Sequence, residues 1–254
     1  MSGEIFEGIK QWEYEREGTR FLMPGFYRDN ASITAVYTAS SKVVRGLLPH
    51  PDMTPVEMSP GRCIAAFTAY EYKDSDIGPY NEFSIAFLIA FRKRQIPFFS
   101  AMKQMMSGEM SAYVWQLPVT TELARRGGVD QYGYPKFLAD ITFAKSDETI
   151  SCTVGEGGSE ILTLEGKILP TSRGEPSKSH SYSVLDSIPL VTNVIIDPVD
   201  QGQSREKDAV SLSLGTHAIA DDIRRSGLSE SPMAYSYTPV FQSILFPGRN
   251  LVDC

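Results

Sequence analysis

Hydrophobic and polar residues alternate along many short stretches of the chain, which is the pattern of β-strands with one buried face. The first of these stretches covers residues 31–37 and is rich in β-branched side chains. Further strands are predicted at 63–72, 82–91, 137–143, 149–154, 160–164, 183–200, 209–214 and 234–245. Closely spaced strands with only brief helices between them favour an antiparallel barrel or sandwich.

Three short helices are predicted between these strands. The first, at 40–49, begins at a serine and ends at Pro49. The second, at 120–127, has a hydroxyl cap, an acidic residue in its first turn, arginines in its last turn and Gly127 beyond them. The third covers 218–225. Residues 170–183 are rich in Ser, Pro, Lys and Gly and predict an exposed loop, but strands continue on both sides. We therefore expect a single mostly β (α+β) domain over residues 1–254.

Composition and charge narrow the class of protein. The 254 residues are 42% hydrophobic and 22% charged, as in ordinary globular proteins, and the net charge is −7. An acidic chain disfavours nucleic acid and an anionic membrane surface as partners. Residues 1–7 lack the features of a secretory signal, and the longest apolar run, 83–91, is too short to span a bilayer. These features predict a cytoplasmic protein with no nucleic-acid or membrane partner.

The metal-binding residue types are few and scattered. The cysteines and histidines are Cys63, Cys152, Cys254, His50, His180 and His217. Their spacing matches neither a disulfide framework nor a zinc motif. The glycine group at 155–158 is not followed by a helical pattern or by Lys-Ser/Thr, so it predicts a hairpin turn and not a phosphate-binding loop. The sequence therefore predicts neither a metal nor a cofactor.

Lys136 is the candidate nucleophile. Pro135 fixes its own φ and pushes Tyr134 into an extended conformation, so Lys136 is predicted to leave a rigid turn at the start of a strand. Alternation then groups Lys136 with residues 138, 140 and 142 on one face. That face is either solvated, as for most lysines, or it lines a cleft or barrel interior. In an interior, desolvation would lower the lysine pKa from about 10.4, and a nucleophilic lysine needs a shift of roughly three units.

Two segments carry a resemblance to a known family. Tyr134-Pro135-Lys136, eight residues after Gly128, resembles the Schiff-base lysine segment of the acetoacetate decarboxylase-like proteins. The segment 78–82, Gly-Pro-Tyr-Asn-Glu, resembles the acidic active-site strand of the same family and ends at Glu82. The predicted strand and helix at 33–49, the helix at 120–127 and the C-terminal segment 212–253 occur in the expected order, so the resemblance covers most of the chain.

The resemblance implies a cone-like antiparallel β-barrel with short flanking helices, and it implies that the protein forms a homo-oligomer. The interior of the barrel would be a closed, largely apolar pocket. Lys136 would form an imine with a small keto-acid substrate, such as acetoacetate, without a cofactor. Glu82 would position the substrate or shuttle a proton. The nearest candidate for the family's active-site arginine is Arg28. The other candidate substrate-binding residues are Tyr80, Tyr113, Gln116 and Tyr134.

One position departs from the family pattern and leaves three functions open. Decarboxylases of the family usually carry a second lysine directly after the reactive one, where this chain has Phe137. The leading hypothesis is a lysine-dependent decarboxylase of a small β-keto acid. The alternatives are an imine-dependent aldolase or dehydratase acting on a larger keto acid, and a barrel that binds a small ligand without turnover. A methionine group at 102–110 is expected to fill a core or an oligomer interface.

Overall fold

The computed structural model describes residues 4–16, 18–93 and 95–252, which contain a short 3₁₀ turn, sixteen strands and four α-helices. The strands are β1 (Trp12–Arg16), β2 (Thr19–Met23), β3 (Gly25–Ser40), β4 (Met53–Pro55), β5 (Glu57–Ser59), β6 (Arg62–Ser75), β7 (Tyr80–Phe91), β8 (Glu109–Gln116), β9 (Asp140–Lys145), β10 (Thr149–Glu156), β11 (Ser159–Lys167), β12 (Ser177–Leu185), β13 (Ile188–Ser204), β14 (Val210–Leu214), β15 (Ala234–Leu245) and β16 (Arg249–Asn250). The helices are α1 (Ser41–Leu47), α2 (Phe99–Ser107), α3 (Glu122–Tyr132) and α4 (Ala218–Arg225).

Seven of these strands close into a barrel. The order is β7, β8, β12, β13, β15, β3 and β6, and the pairing of β6 with β7 completes the ring. Neighbouring strands are antiparallel except for β8 and β12, which run parallel. A closed sheet leaves no unpaired edge among its strands. The predicted mostly β barrel with a few short helices is confirmed.

A second sheet, in the order β14, β11, β10 and β9, packs against the outside of the barrel. The main hydrophobic core lies between the two sheets. Phe67 of β6 and Phe87 of β7 reach it from the barrel, and Cys152 and Leu164 reach it from the outer sheet. Because one face of β7 meets this core and the other faces the barrel interior, the strand carries a nearly continuous apolar run.

The helix predicted at 120–127 is longer than expected. Thr121 caps it by accepting a hydrogen bond from the Ala124 amide, as the sequence indicates, but α3 continues to Tyr132 and ends at Gly133 in the left-handed conformation. Gly127 does not terminate the helix; a Cβ atom there would lie 2.8 Å from Cε1 of Phe21. This glycine is therefore required by close packing, which the termination rule does not distinguish.

Two other expectations need correction, and one helix was not predicted. Half of the predicted loop at 170–183 is strand β12, which pairs with β8 and β13 and so completes the barrel. The strand predicted from residue 137 begins at Asp140. Helix α2, which contains most of the methionine group, was not predicted.

Cys63 and Cys152 are buried and free, whereas Cys254 and the first three residues lie outside the described residues.

None of the helices in the described part of the chain is long and apolar enough to cross a membrane. In the same residues, no group of three or more His, Cys, Asp and Glu side chains is arranged to hold a metal ion.

Candidate active site

The interior of the barrel contains a partly open cavity of about 260 Å³. Alternate residues of its strands face this cavity because side chains of a strand point to opposite sides in turn. The lining residues are Tyr27, Ala66, Thr68, Tyr70, Tyr72, Tyr80, Glu82, Ser84, Ala86, Leu88, Met110, Ala112, Val114, Leu117, Tyr134, Lys136, Ser179, Ser181, Val194, Ile196, Ser243 and Leu245. Most of these side chains are apolar, aromatic or hydroxyl-bearing. Glu82 and Lys136 are the two charged side chains among them.

Lys136 and Glu82 form a buried ion pair in this cavity. The Lys136 Nζ atom lies 2.7 Å from Oε2 of Glu82, and the two side chains are 7% and 8% exposed. Glu82 projects inward from β7, opposite Tyr70 of β6. The lysine comes from a different part of the chain, the extended segment that follows α3. The barrel therefore joins the two family-like segments, 54 residues apart, at a single point.

Local backbone chemistry directs the lysine inward. Gly133 ends α3 with φ of 62°, and the Tyr134 amide donates back to the Gly128 carbonyl. After Pro135, the Lys136 amide donates to the Tyr134 carbonyl at 2.8 Å, which closes a tight turn. Gly128 leaves room for the lysine stem, since a Cβ there would lie 2.3 Å from the Lys136 Cδ atom. The glycine eight residues before the lysine is therefore a packing requirement of the site.

The alternation argument for Lys136 is wrong in detail. Leu138 is 45% exposed, and Asp140 and Thr142 are also exposed. These residues face away from the cavity, although the sequence pattern groups them with Lys136. The regular strand starts only at Asp140, so the turn at 133–136 sets the direction of the lysine independently of β9.

Tyrosines surround the ion pair. The Tyr72 hydroxyl donates to Oε1 of Glu82 at 3.3 Å, and the Lys136 Nζ atom lies 5.6 Å from the centre of the Tyr80 ring. Burial, with the Glu82 charge adding to it, raises the pKa of Tyr72 and of Tyr80 well above the usual value. Burial also raises the pKa of Tyr70 and of Tyr134 to about 12. These hydroxyls therefore remain protonated hydrogen-bond donors at neutral pH.

Four of the sequence-predicted residues meet in the cavity, namely Lys136, Glu82, Tyr80 and Tyr134. Arg28 does not line it: its guanidinium pairs with Asp76 at 2.6 Å, lies near Asp74 and stacks over Phe26. This ion pair anchors the start of β3 to the turn before β7. Sequence reasoning could not place Arg28 because its acidic partners are almost fifty residues away.

Tyr113 and Gln116 also lie outside the cavity lining. Tyr113 faces the core between the two sheets. A β-bulge at Trp115 then shifts the alternation of β8, since Gln116 pairs with Ile85 while Val114 pairs with Ala86. Gln116 thereby falls on the outward side and Leu117 takes the inward position. One inserted residue exchanges the inward and outward positions of all later side chains in the strand, and no feature of the sequence marks the insertion.

Sequence reasoning missed the tyrosines at 27, 70 and 72. Tyr70 and Tyr72 alternate with Glu71 in β6, which is a detectable signal for an inward aromatic pair. Tyr27 precedes the predicted strand at 31–37, because β3 begins at Gly25 and is longer than the pattern indicates.

Three solved structures are similar in fold to this chain. The acetoacetate decarboxylase of Legionella pneumophila is 14% identical, with a TM-score of 0.63, and the match covers 90% of this chain and 87% of that one. The enduracididine biosynthesis enzyme MppR, solved with the condensation product of pyruvate and imidazole 4-carboxaldehyde, is 14% identical, with a TM-score of 0.65 and coverage of 90% and 89%. An acetoacetate decarboxylase-like enzyme of Sphingomonas wittichii RW1 is 13% identical, with a TM-score of 0.55 and coverage of 90% and 92%.

No protein of curated function matches the sequence. Residues 14–248, nearly the whole chain, match the profile of the family described as Acetoacetate decarboxylase (ADC). With the closed barrel and the likeness of its fold to these enzymes, this match shows that the chain belongs to the acetoacetate decarboxylase family.

Proposed function

We propose that this protein is a Schiff-base-forming carboxy-lyase that decarboxylates a β-keto acid through Lys136. The observation that carries the proposal is the Lys136–Glu82 pair, 2.7 Å apart, with both side chains less than a tenth exposed in the barrel cavity. A primary amine in a desolvated site is the group that forms imines with ketones, and acetoacetate decarboxylase is itself a standard example of such activation.

The first half of the reaction makes the iminium. Glu82 takes a proton from the Lys136 ammonium, and the neutral amine attacks the keto carbon to give a carbinolamine. The hydroxyl of the carbinolamine leaves as water with a proton returned by Glu82. The carbon–nitrogen double bond that results carries the positive charge formerly on the ammonium.

The second half breaks the carbon–carbon bond. The electron pair of the bond to the carboxylate moves toward the iminium, CO₂ leaves and an enamine remains. Protonation of the enamine carbon restores the iminium, and water hydrolyses it to the product ketone and free Lys136. A proton taken up from solvent adds at the enamine carbon, and the chain's own imine is the electron sink, so the reaction consumes no oxidant or reductant.

The neighbouring side chains suit these steps. The hydrogen bond from Tyr72 holds the Glu82 carboxylate in place for the proton transfers. The Tyr80 ring lies beside Nζ, where its negative face stabilises the cationic iminium. Phe137, at the position of the family's second lysine, packs against the core outside the barrel. The proton acceptor beside Lys136 in this chain is the Glu82 carboxylate, 2.7 Å from Nζ.

Imine-dependent aldol or dehydration chemistry is the second candidate. It is favoured by the fold similarity to MppR, which was solved with a condensation product of pyruvate, and by Phe137 at the position of the second lysine. Both reactions use the same imine. They differ in whether CO₂ leaves from it.

We also propose that the chain is a single domain that works as a cytoplasmic homo-oligomer. The family match over residues 14–248 supports the single domain, and the family resemblance supports the assembly. Light scattering of the purified protein measures the oligomer directly, and a monomer at micromolar concentration would contradict this part of the proposal.

Borohydride trapping tests imine formation. Incubation with acetoacetate and sodium borohydride should add the mass of a reduced adduct to the wild type and not to Lys136→Ala. Lys145→Ala is the matched control, because this exposed lysine also lies beside an aromatic ring, that of Tyr237. An adduct of equal yield in Lys136→Ala would contradict the proposal.

Release of CO₂ separates decarboxylation from the second candidate. The wild type should release CO₂ from a β-keto acid, and Glu82→Gln should slow turnover by about 10²–10⁴-fold, the range of general acid–base catalysis. Imine formation without CO₂ release would favour aldol or dehydration chemistry.

A further inference from the structure

We infer that the substrate of Lys136 carries an uncharged apolar tail of about four to six carbons, so that the natural substrate is a medium-chain β-keto acid. This inference rests on the proposed function and concerns the part of the cavity that the reaction itself does not use. The ion pair occupies one end of the cavity, and the remainder extends along the barrel.

The cavity changes character in steps along β6 and β7. Opposite residues on these strands form layers, and the layers nearest the ion pair are polar or aromatic, with Tyr70 facing Glu82. The next layer holds the hydroxyl side chains Thr68 and Ser84, and the one after it holds Ala66 and Ala86. Along these two strands the polarity of the lining therefore falls with distance from Glu82.

The far part of the cavity is uncharged and lined mostly by small side chains, with Ser179 and Ser181 of β12 beside Met110 and Ala112. Ala86 and Ala112 leave their space unfilled, and Leu88 and Met110 lie at its end. None of the residues described in this part of the lining carries a charge. A charged tail would lose its hydration there without gaining an opposite charge, whereas an alkyl tail gains from burial.

The dimensions suit a tail of this size. From Glu82 to Leu88 there are six residue steps, roughly 20 Å along the strand at ~3.3 Å per residue. A strand tilt of about 40° reduces this to about 15 Å along the barrel axis. An extended chain advances ~1.2 Å per bond, so six carbons span about 7 Å. At about 30 Å³ per water-sized group, a cavity volume of about 260 Å³ holds about nine such groups.

A second cavity that Lys136 lines offers a place for the substrate carboxylate. This smaller cavity, of about 50 Å³, is also lined by Gln131 of α3 and by Asp76, whose own carboxylate is paired with the Arg28 guanidinium. The Gln131 Nε2 atom is buried and has no hydrogen-bond partner in the described part of the chain. It is a free donor for a carboxylate oxygen. A β-keto acid can thus place its keto carbon at Lys136, its carboxylate toward Gln131 and its tail along the barrel.

The test is the ratio of kcat/KM for CO₂ release from 3-oxooctanoate to that from acetoacetate. The longer acid has four more methylenes, and each buried methylene favours binding about fourfold. We therefore expect a ratio of about 250 for the wild type. Ala86→Leu fills the tail site and should lower the ratio at least tenfold, while Ala144→Leu, the same change on an exposed residue of β9, should leave it unchanged.

The outcomes separate this inference from the proposed function. A ratio near one, with CO₂ released from both acids, overturns the tail site and leaves the lysine chemistry intact. If neither acid reacts, calorimetric binding of 2-heptanone to Lys136→Met still tests the cavity. Binding that Ala86→Leu weakens at least tenfold supports the tail site, and the absence of binding overturns it.

Discussion

The Lys136–Glu82 pair makes a quantitative prediction about stability. At 2.7 Å and an effective dielectric constant of about 20, the attraction between the two charges is about 6 kcal/mol. Removing two charges from water costs several kcal/mol per ion, so the pair as a whole contributes little. Losing one partner is different, because the remaining charge stays buried alone. We expect Glu82→Gln and Lys136→Met each to lower the free energy of unfolding by about 3–5 kcal/mol.

The double variant distinguishes this reasoning from ordinary packing effects. With both charges removed, most of the loss should be recovered, so the two single changes should be strongly non-additive. Urea denaturation of the wild type, both single variants and the double variant measures the four free energies. Glu122→Gln is the control, because its pair with Arg125 is also short but lies in solvent, and it should lower the free energy of unfolding by no more than about 1 kcal/mol. Losses below 1 kcal/mol that simply add would show that the buried pair is solvated and would refute the argument.

Two further predictions concern the surroundings of the pair. Gly128→Ala places a Cβ against the stem of Lys136, so it should destabilise the protein by about 1–3 kcal/mol and reduce borohydride trapping, whereas Gly46→Ala, in the open on α1, should be neutral or stabilising. Thermal unfolding and adduct mass check both variants, and equal trapping by Gly128→Ala would contradict the packing argument. Because burial raises the pKa of Tyr70 and Tyr134 to about 12, their contribution to stability is complete below pH 10 and is lost as the pH rises through about 12. Urea unfolding at pH 9 and pH 11 should show this loss of stability. Absorbance at 295 nm should show that some tyrosines of the native protein ionise only well above pH 10. Ionisation of every tyrosine near pH 10 without unfolding would contradict the prediction.

The parts of the fold that depend on local pattern could be predicted from the sequence. The apolar alternation located β6, β7 and β15, and Thr121 marked the start of α3. The family resemblance of the segments 134–136 and 78–82 indicated the two residues, Lys136 and Glu82, that meet in the site. Each of these signals lies within a few residues of the feature it predicts.

The rest depended on contacts between distant residues. Gly127 looks like a helix end until the packing against Phe21 is known. The sequence alone leaves Arg28 as a candidate to bind substrate, but in the fold its guanidinium pairs with Asp76. The bulge at Trp115, which removes Gln116 from the cavity, is a property of the pairing between β7 and β8. Tertiary contacts overrode local rules at each of these positions.

The most direct test of the account is the site at which a ketone becomes attached. After borohydride reduction with acetone and digestion, peptide mass mapping should find the isopropyl group on Lys136 alone among the lysines, and Glu82→Gln should reduce its yield. An adduct spread over exposed lysines, with Lys136 unmodified, would contradict the claim that this buried amine is the nucleophile.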